Sequence, residues 1–434
     1  MTSQLVAVAS LLLGSAFLLI AGGIHGLLLP LRGTIEGFSV TELGLLGTSW
    51  ATGFIAGCLL MPQVVRRVGH ARTYGALASV AAVTILLNLL IISPAAWIIL
   101  RALTGFCFAG AAMVVESWLN ERASRENRGT IFSVYQMVNF AALTAGQLAL
   151  AFRPPTDHFY FALGAIFYCL AILPTALSTA ASPRPLTTTR LDVRRLYSIS
   201  PVGAVVCFLI GLVTGAFGTL GPVYAQEIGL PIRDIAFLMA GALLGGSLIQ
   251  FPLGWLSDRM DRRRVIVAVA IGAALIGIII VGLRPRSPAV VTTLAILFGA
   301  MVYPKYSLTV AHANDFAGSD EFVKIAGTIL LLYGVGTMLG PLAAAFAMQR
   351  FEPEGLFAFT AAVDVVVAAY VLFRMSRRSP LERVLRESFR GMPDTKTVTP
   401  ESAVLDPRSV EQRNIPGAPV PPPASEPAPA PAKE

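Results

Sequence analysis

The chain has 434 residues, 55% of them apolar or aromatic (Ala, Val, Ile, Leu, Met, Phe, Trp, Tyr, Cys) and only 13% charged, with a mean hydropathy of +0.69. That much apolar surface excludes a soluble globular domain. The 33 Lys and Arg against 25 Asp and Glu fit loops facing anionic lipid better than a nucleic-acid partner, and Cys58, Cys107, Cys169 and Cys207 stand singly in apolar runs, without the spacing of a metal or redox site.

A helix needs ~20 mostly apolar residues to cross ~30 Å of hydrocarbon, because lipid offers unpaired backbone groups no partner. Runs of this kind predict helices near residues 5–31, 41–65, 73–93, 95–119, 131–153 and 159–180. Six more follow near 201–226, 234–257, 265–283, 288–312, 324–348 and 356–376. The first run is too long, and lacks a basic lead, to read as a cleaved signal peptide. The expected organisation is a first six-helix bundle over 1–180, a polar basic linker over 181–200, a second bundle over 201–376 and a tail over 377–434. The tail is basic, then rich in Pro and Ala, and is expected to be disordered because it cannot pack a core. One set of alternate loops, with the C-terminal stretch as far as Arg390, carries 22 Arg and Lys against six on the other side. The positive-inside rule then places both termini in the cytoplasm of a bacterial inner-membrane protein.

The halves repeat. At an offset of 192, Gly26 and Pro30 align with Gly218 and Pro222, Gly37 with Gly229 and Gly53 with Gly245. At 194, Asn120 and Glu121 align with Asn314 and Asp315, and Gly146 with Gly340. Kept order and spacing favour duplication over chance matching among glycine-rich helices, giving an all-α membrane protein of twelve transmembrane helices in two parallel six-helix repeats.

Several polar positions stand out from this apolar background. After the eighth helix, GWLSDRMDRRR sets Asp258 near Arg259 and Arg262; the acid can lock one conformation through charge-assisted bonds, or the arginines can simply anchor the inner face. Arg66 stands where the first half would need that acid. Arg101 lies six residues past Ala95, as either a working intramembrane charge or one that snorkels to the outer surface. Glu116 and Asn120 share one face at the inner end of helix 4, with Arg128 in the following loop, and His312, Asn314 and Asp315 end helix 10 at the same depth. With Asp258, Arg259 and Arg262 they read as a cytoplasmic gate, or as ordinary capping and surface pairing. Asn88 and Gln250 read as interhelical hydrogen bonds, and Asp364 has no partner legible in the sequence.

These strings resemble the major facilitator superfamily: residues 254–264 its motif A, residues 101–112 its motif B, and GVGTMLGP at 334–341 a Gly-Pro signature that some exporters carry in helix 5, here in helix 11. ESWLN at 116–120, YQMVN at 135–139, YPKY at 303–306 and HAND at 312–315 are similar to its YcaD-like branch. The resemblance implies a transporter rather than an enzyme, with the major facilitator fold and a cavity lined by helices 1, 4, 7 and 10 with 5 and 11 beside them. On that reading His25, Arg101, Gln136, Asn139, Tyr303, Lys305 and Tyr333 are the candidate contacts for solute or proton. The expected partners are a small solute and the bilayer, the expected state a monomer, with no nucleic acid, metal or cofactor. A proton gradient is the expected energy source, with Glu42, Glu116, His25 and His312 as the groups able to exchange protons. A uniporter or exchanger using the same cavity, and a transporter-like receptor or lipid-handling scaffold, are the alternatives.

Overall fold

The structure, a computed structural model, describes residues 2–123, 127–177, 192–316, 322–377 and 399–400. Among them there is helix and no strand. The first half comprises α1 (Thr2–Ile35), α2 (Val40–Val68), α3 (His70–Leu90), α4 (Pro94–Arg122), α5 (Arg128–Ala149) and α6 (Phe159–Ala176). A short α7 (Val193–Ile199) precedes the second half: α8 (Pro201–Glu227), α9 (Ile232–Arg259), α10 (Arg262–Leu283), α11 (Pro288–Val302), α12 (Pro304–Asn314), α13 (Phe322–Phe351) and α14 (Gly355–Arg377). Eleven spans, counting α11 and α12 as one, are long and apolar enough to cross a membrane. The twelfth, α5, falls short because Gln136, Asn139, Thr144 and Gln147 lower its hydropathy; the first three are buried in the bundle.

Local chemistry sets the helix ends. Pro94, Pro201, Pro288 and Pro304 open their helices, where a missing N–H costs nothing. Pro304 also explains why the tenth span is two helices meeting at Tyr303, since a proline removes an intrahelical bond and crowds the preceding turn. Ser39 and Glu42 form a capping box at the start of α2, the Glu42 carboxylate accepting from the Ser39 N–H and hydroxyl at 2.8 Å each. Glu42 is therefore a helix cap at a membrane surface, not the proton-exchanging intramembrane acid expected from the sequence. The linker is not all loop: Asp192 caps α7 by accepting from the Arg195 N–H at 2.8 Å, and Leu196 is buried against α8. Residues 178–191 of the linker, and 378–398 and 401–434 of the tail, lie outside the described residues, and with them most of the expected disordered segment.

The duplication is visible in backbone contacts. A Cβ on Gly53 would overlap the Ala102 carbonyl and one on Gly105 the Trp50 carbonyl, which brings α2 and α4 together at backbone distance. The second half repeats this between α9 and α11, where Gly245 faces the Ile296 carbonyl and Gly299 the Ala242 carbonyl. Each partner on α9 is 192 positions beyond its counterpart, each on α11 194 beyond. The same shifts carry Gly146 on the Ile20 carbonyl into Gly340 on that of Leu212, and Gly23 on the Leu143 carbonyl into Gly215 on that of Thr337. Small residues allow such approach, and in lipid the packing it permits is what holds helices together. Gly37 and Gly229, also 192 apart, both take a positive φ (79° and 86°) at the matching turn.

The connections after α2, α4, α9 and α12 define a basic face, and those after α1, α3, α5, α8, α10 and α13 the opposite face. The halves meet toward the opposite face. There α2 runs along α13, from the bond of Gln349 Nε2 to Thr41 Oγ1 (2.5 Å), through that of Thr48 Oγ1 to the Met338 carbonyl (2.7 Å), to Ile55 beside Gly334. Gly44 sits against Pro341 and Ala345 in the same seam.

Candidate functional site

Between the halves lies a cavity holding about 1070 Å³ of empty space, part of it open to solvent. Glycines of α1, α2 and α8 bare the backbone on its wall, and Trp50, Phe108, Tyr168 and Tyr303 supply aromatic surface. Among the lining residues Arg101 is the one carrying a charge. The contacts of Gly105 and Gly53 that clamp α4 on α2 place it: its guanidinium lies 6.0 Å from the centroid of the Trp50 ring. Among the described residues no Asp or Glu lines this wall.

The other expected contacts are dispersed. His25 is fully buried within the first half, its Nε2 at 3.0 Å from Asn88 Nδ2 and its Nδ1 at 3.4 Å from the Tyr168 hydroxyl. It thus stands behind the wall, one residue removed from the cavity through Tyr168. Gln136 is buried with neither amide atom hydrogen-bonded, and Asn139 accepts from Ser15 Oγ at 2.9 Å. Tyr333 bonds Thr214 Oγ1 at 2.6 Å inside the second half. Lys305 is away from the cavity; it is fully buried and ion-paired with the equally buried Asp364 of α14. That pair gives Asp364 the partner the sequence did not reveal. Two of the expected contacts, Arg101 and Tyr303, reach the cavity wall.

On the basic face, Arg262, 1% exposed at its side chain, is the hub of a latch. Its Nε donates to Asp315 Oδ2 at 2.9 Å, and its Nη1 to Ser257 Oγ at 3.0 Å and to Asp258 Oδ1 at 3.1 Å, tying α9, α10 and the end of α12. Arg263 pairs with Asp261, the α10 cap, at 2.8 Å. Burial pushes the Asp261 carboxyl up, but bonds from Arg263 and the charges of Arg263 and His312 outweigh it and hold it below its ordinary value. Arg259 turns away and stacks on Trp255, 3.4 Å from the ring centroid, while His312 packs on Phe316. Asn314 is buried with both amide atoms unbonded.

In the first half, Glu116 is fully buried and accepts from the Tyr135 hydroxyl at 3.3 Å, from the Thr399 N–H at 3.3 Å and from the Thr399 hydroxyl. Asn120 and Arg128 flank it, half-buried. These residues, expected as one gate, form two clusters, each built on its own half.

The family model of the Major Facilitator Superfamily matches residues 11–231 and again 203–410. The chain belongs to the major facilitator superfamily. Two relatives, both described as an uncharacterized MFS-type transporter YcaD, come from Escherichia coli O7:K1 (strain IAI39) and O6:K15:H31 (strain 536). They are 28% and 27% identical over 376 residues, 83% of this chain and 94% of each relative. The fold is that of the nucleoside transporter NupG (TM-score 0.71, 12% identity, 86% of this chain and 100% of that one). It is also that of a bacterial homologue of the human lysosomal transporter Spinster, in an inward-facing, unoccupied conformation (TM-score 0.67, 14% identity, 86% and 97%). This major facilitator protein is accordingly a multi-pass membrane transporter and not an enzyme.

Sequence reasoning missed Trp50, Ser257 and Thr399. Trp50 carried a signal, lying three residues before Gly53, whose partner Ala102 adjoins Arg101. Thr399 carried none, being 283 residues from its partner.

Proposed function

We propose that the chain moves a small solute across the bacterial inner membrane by alternating access, coupled to the proton gradient, as a monomer with both termini cytoplasmic. One observation carries this reading: a cavity lies between two repeated bundles whose seam closes on the opposite face, where Thr41 and Thr48 of α2 bond Gln349 and Met338 of α13. With the basic face cytoplasmic, this is a state closed to the outside. Coupling is supported by Glu116, a fully buried carboxyl in hydrogen-bond contact with Tyr135, and by His25, linked to the cavity wall through Tyr168. The latch around Arg262 holds the second bundle rigid while the seam opens.

The test uses proteoliposomes with a trapped pH indicator. Addition of a transported solute should produce a solute-dependent pH change that Glu116→Gln removes while flux down a solute gradient persists. Saturable flux with no pH change would leave the uniporter or exchanger instead.

A further inference from the structure

We infer that the cavity takes a small organic monocarboxylate with a flat apolar body, the carboxylate on Arg101 and the ring against Trp50. The inference rests on the transporter reading and names its substrate class.

A charge held at membrane depth is costly unless something compensates it. Among the described residues the buried lysines and arginines have their anion: Lys305 has Asp364, Arg262 has Asp258 and Asp315, and Arg263 has Asp261. Arg101 has none among the described residues, and it faces the cavity. The missing anion is then the ligand's. Among the described lining residues there is one guanidinium and no second cation, which matches a single negative charge, so a dianion such as a phosphate monoester would bring in a charge left uncompensated. A carboxylate also fits the planar fork of a guanidinium through two parallel hydrogen bonds.

The rest of the wall describes the body of the ligand. Trp50 stacks on Phe54 at 5.2 Å and stands 6.0 Å from Phe108, which fixes its ring beside the guanidinium. Gly26 of α1 lines the same wall, and an added Cβ there would meet only Arg101 Nη2, at 3.8 Å, so space stays open beside the guanidinium. Gln147 lines the same wall with its buried Oε1 hydrogen-bonded to nothing, an acceptor waiting for a hydroxyl or N–H on the ligand. An ammonium ligand would meet Arg101 with no carboxylate to offset the repulsion.

The test measures binding to the full chain in nanodiscs, by quenching of tryptophan fluorescence and by thermal stabilisation. The probes are benzoate, 3-hydroxybenzoate and indole-3-carboxylate, each set against its amide and its aminomethyl analogue. The carboxylates should bind saturably and roughly 10- to 100-fold more tightly than the other two forms, with 3-hydroxybenzoate ahead of benzoate. Arg101→Gln should erase the preference, and Arg101→Lys should keep it at lower affinity. Equal binding of amides, tighter binding of amines, absence of carboxylate binding, or an unchanged preference in Arg101→Gln each overturns the inference. If Arg101→Gln does not fold, the ligand series on the unaltered chain decides alone. Saturable carboxylate binding without flux in proteoliposomes would keep the site and remove the transporter reading; solute flux without carboxylate preference would do the reverse.

Discussion

The two halves share a backbone framework and differ in where they keep charge. At the end of the second half, Asp258, Arg262 and Asp315 form an ionic latch around the buried Arg262. The corresponding positions of the first half are Arg66, His70 and Glu121: Arg66 and Glu121 are exposed, and His70 makes a 3.3 Å contact with Ser117. At cavity depth the bias reverses. Arg101 faces the cavity with no acid paired to it among the described residues, while its counterpart, Ala295, is a buried core residue. Duplication therefore preserved the glycine contacts, where any side chain would part the helices, and released the polar positions to specialise. Among the described residues the second half pairs its buried lysines and arginines internally, and the first half holds Arg101 at the cavity wall.

The largest effect tests the shared framework. Gly53→Leu and Gly299→Leu each drive a side chain into a helix backbone, beyond the roughly 1–3 kcal/mol of ordinary overpacking. Both should abolish recovery of monodisperse protein on size-exclusion chromatography; tolerance at one site alone would break the symmetry claimed for the pair.

The next effect concerns the divergence. Arg262→Met strands the buried Asp315 carboxylate and should cost about 3–5 kcal/mol in thermal unfolding, as should Lys305→Met, which strands Asp364. Lys305→Met with Asp364→Leu should recover most of that loss, because an apolar pair fills the same space without a stranded charge. His70→Met, at the position matching Arg262, should cost only about 1 kcal/mol. Equal losses at residues 70 and 262 would show that the latch is not particular to the second half.

A smaller effect depends on pH. Because the folded-state pKa of Asp261 lies below its ordinary value, its contribution to stability is present above the unfolded-state pKa and is lost as pH falls through the folded-state one. Asp261→Asn should therefore melt lower than the wild type at neutral pH, and the gap should close in acid. A gap that widens in acid would contradict the pairing with Arg263. Gly69, the matching cap position of the first half, has no side chain to titrate. The smallest effect is that of Thr399→Val, about 1 kcal/mol or less, from the loss of its hydroxyl bond to Glu116.

The fold was legible because lipid leaves few options: apolar runs of span length, prolines at helix starts and a repeated glycine spacing all report on the backbone. The site was legible only in part. Arg101 was conspicuous as an isolated charge in an apolar helix, and the Asp258–Arg262 link follows from adjacent helical turns. His25 and Lys305 carry the same signal, an isolated polar group at membrane depth, yet the structure turns them to Asn88 and Asp364 within their own bundles. Which way such a side chain points depends on helix rotation and on a partner 63 or 59 residues away, and neither is written in local sequence.

The central claim is that the repeated bundles rock about a cavity whose open charge belongs to the first of them. Spin labels at residues 41 and 349 across the closed seam, and at 67 and 259 across the basic face, would test it by electron–electron distance measurement in nanodiscs, with the four native cysteines replaced. The account predicts two populations whose distances change in opposite senses, the short 41–349 distance lengthening as the 67–259 distance shortens, with a ratio that shifts with pH and with 3-hydroxybenzoate. A single unchanged distance for each pair, at every pH and with or without the carboxylate, would contradict it.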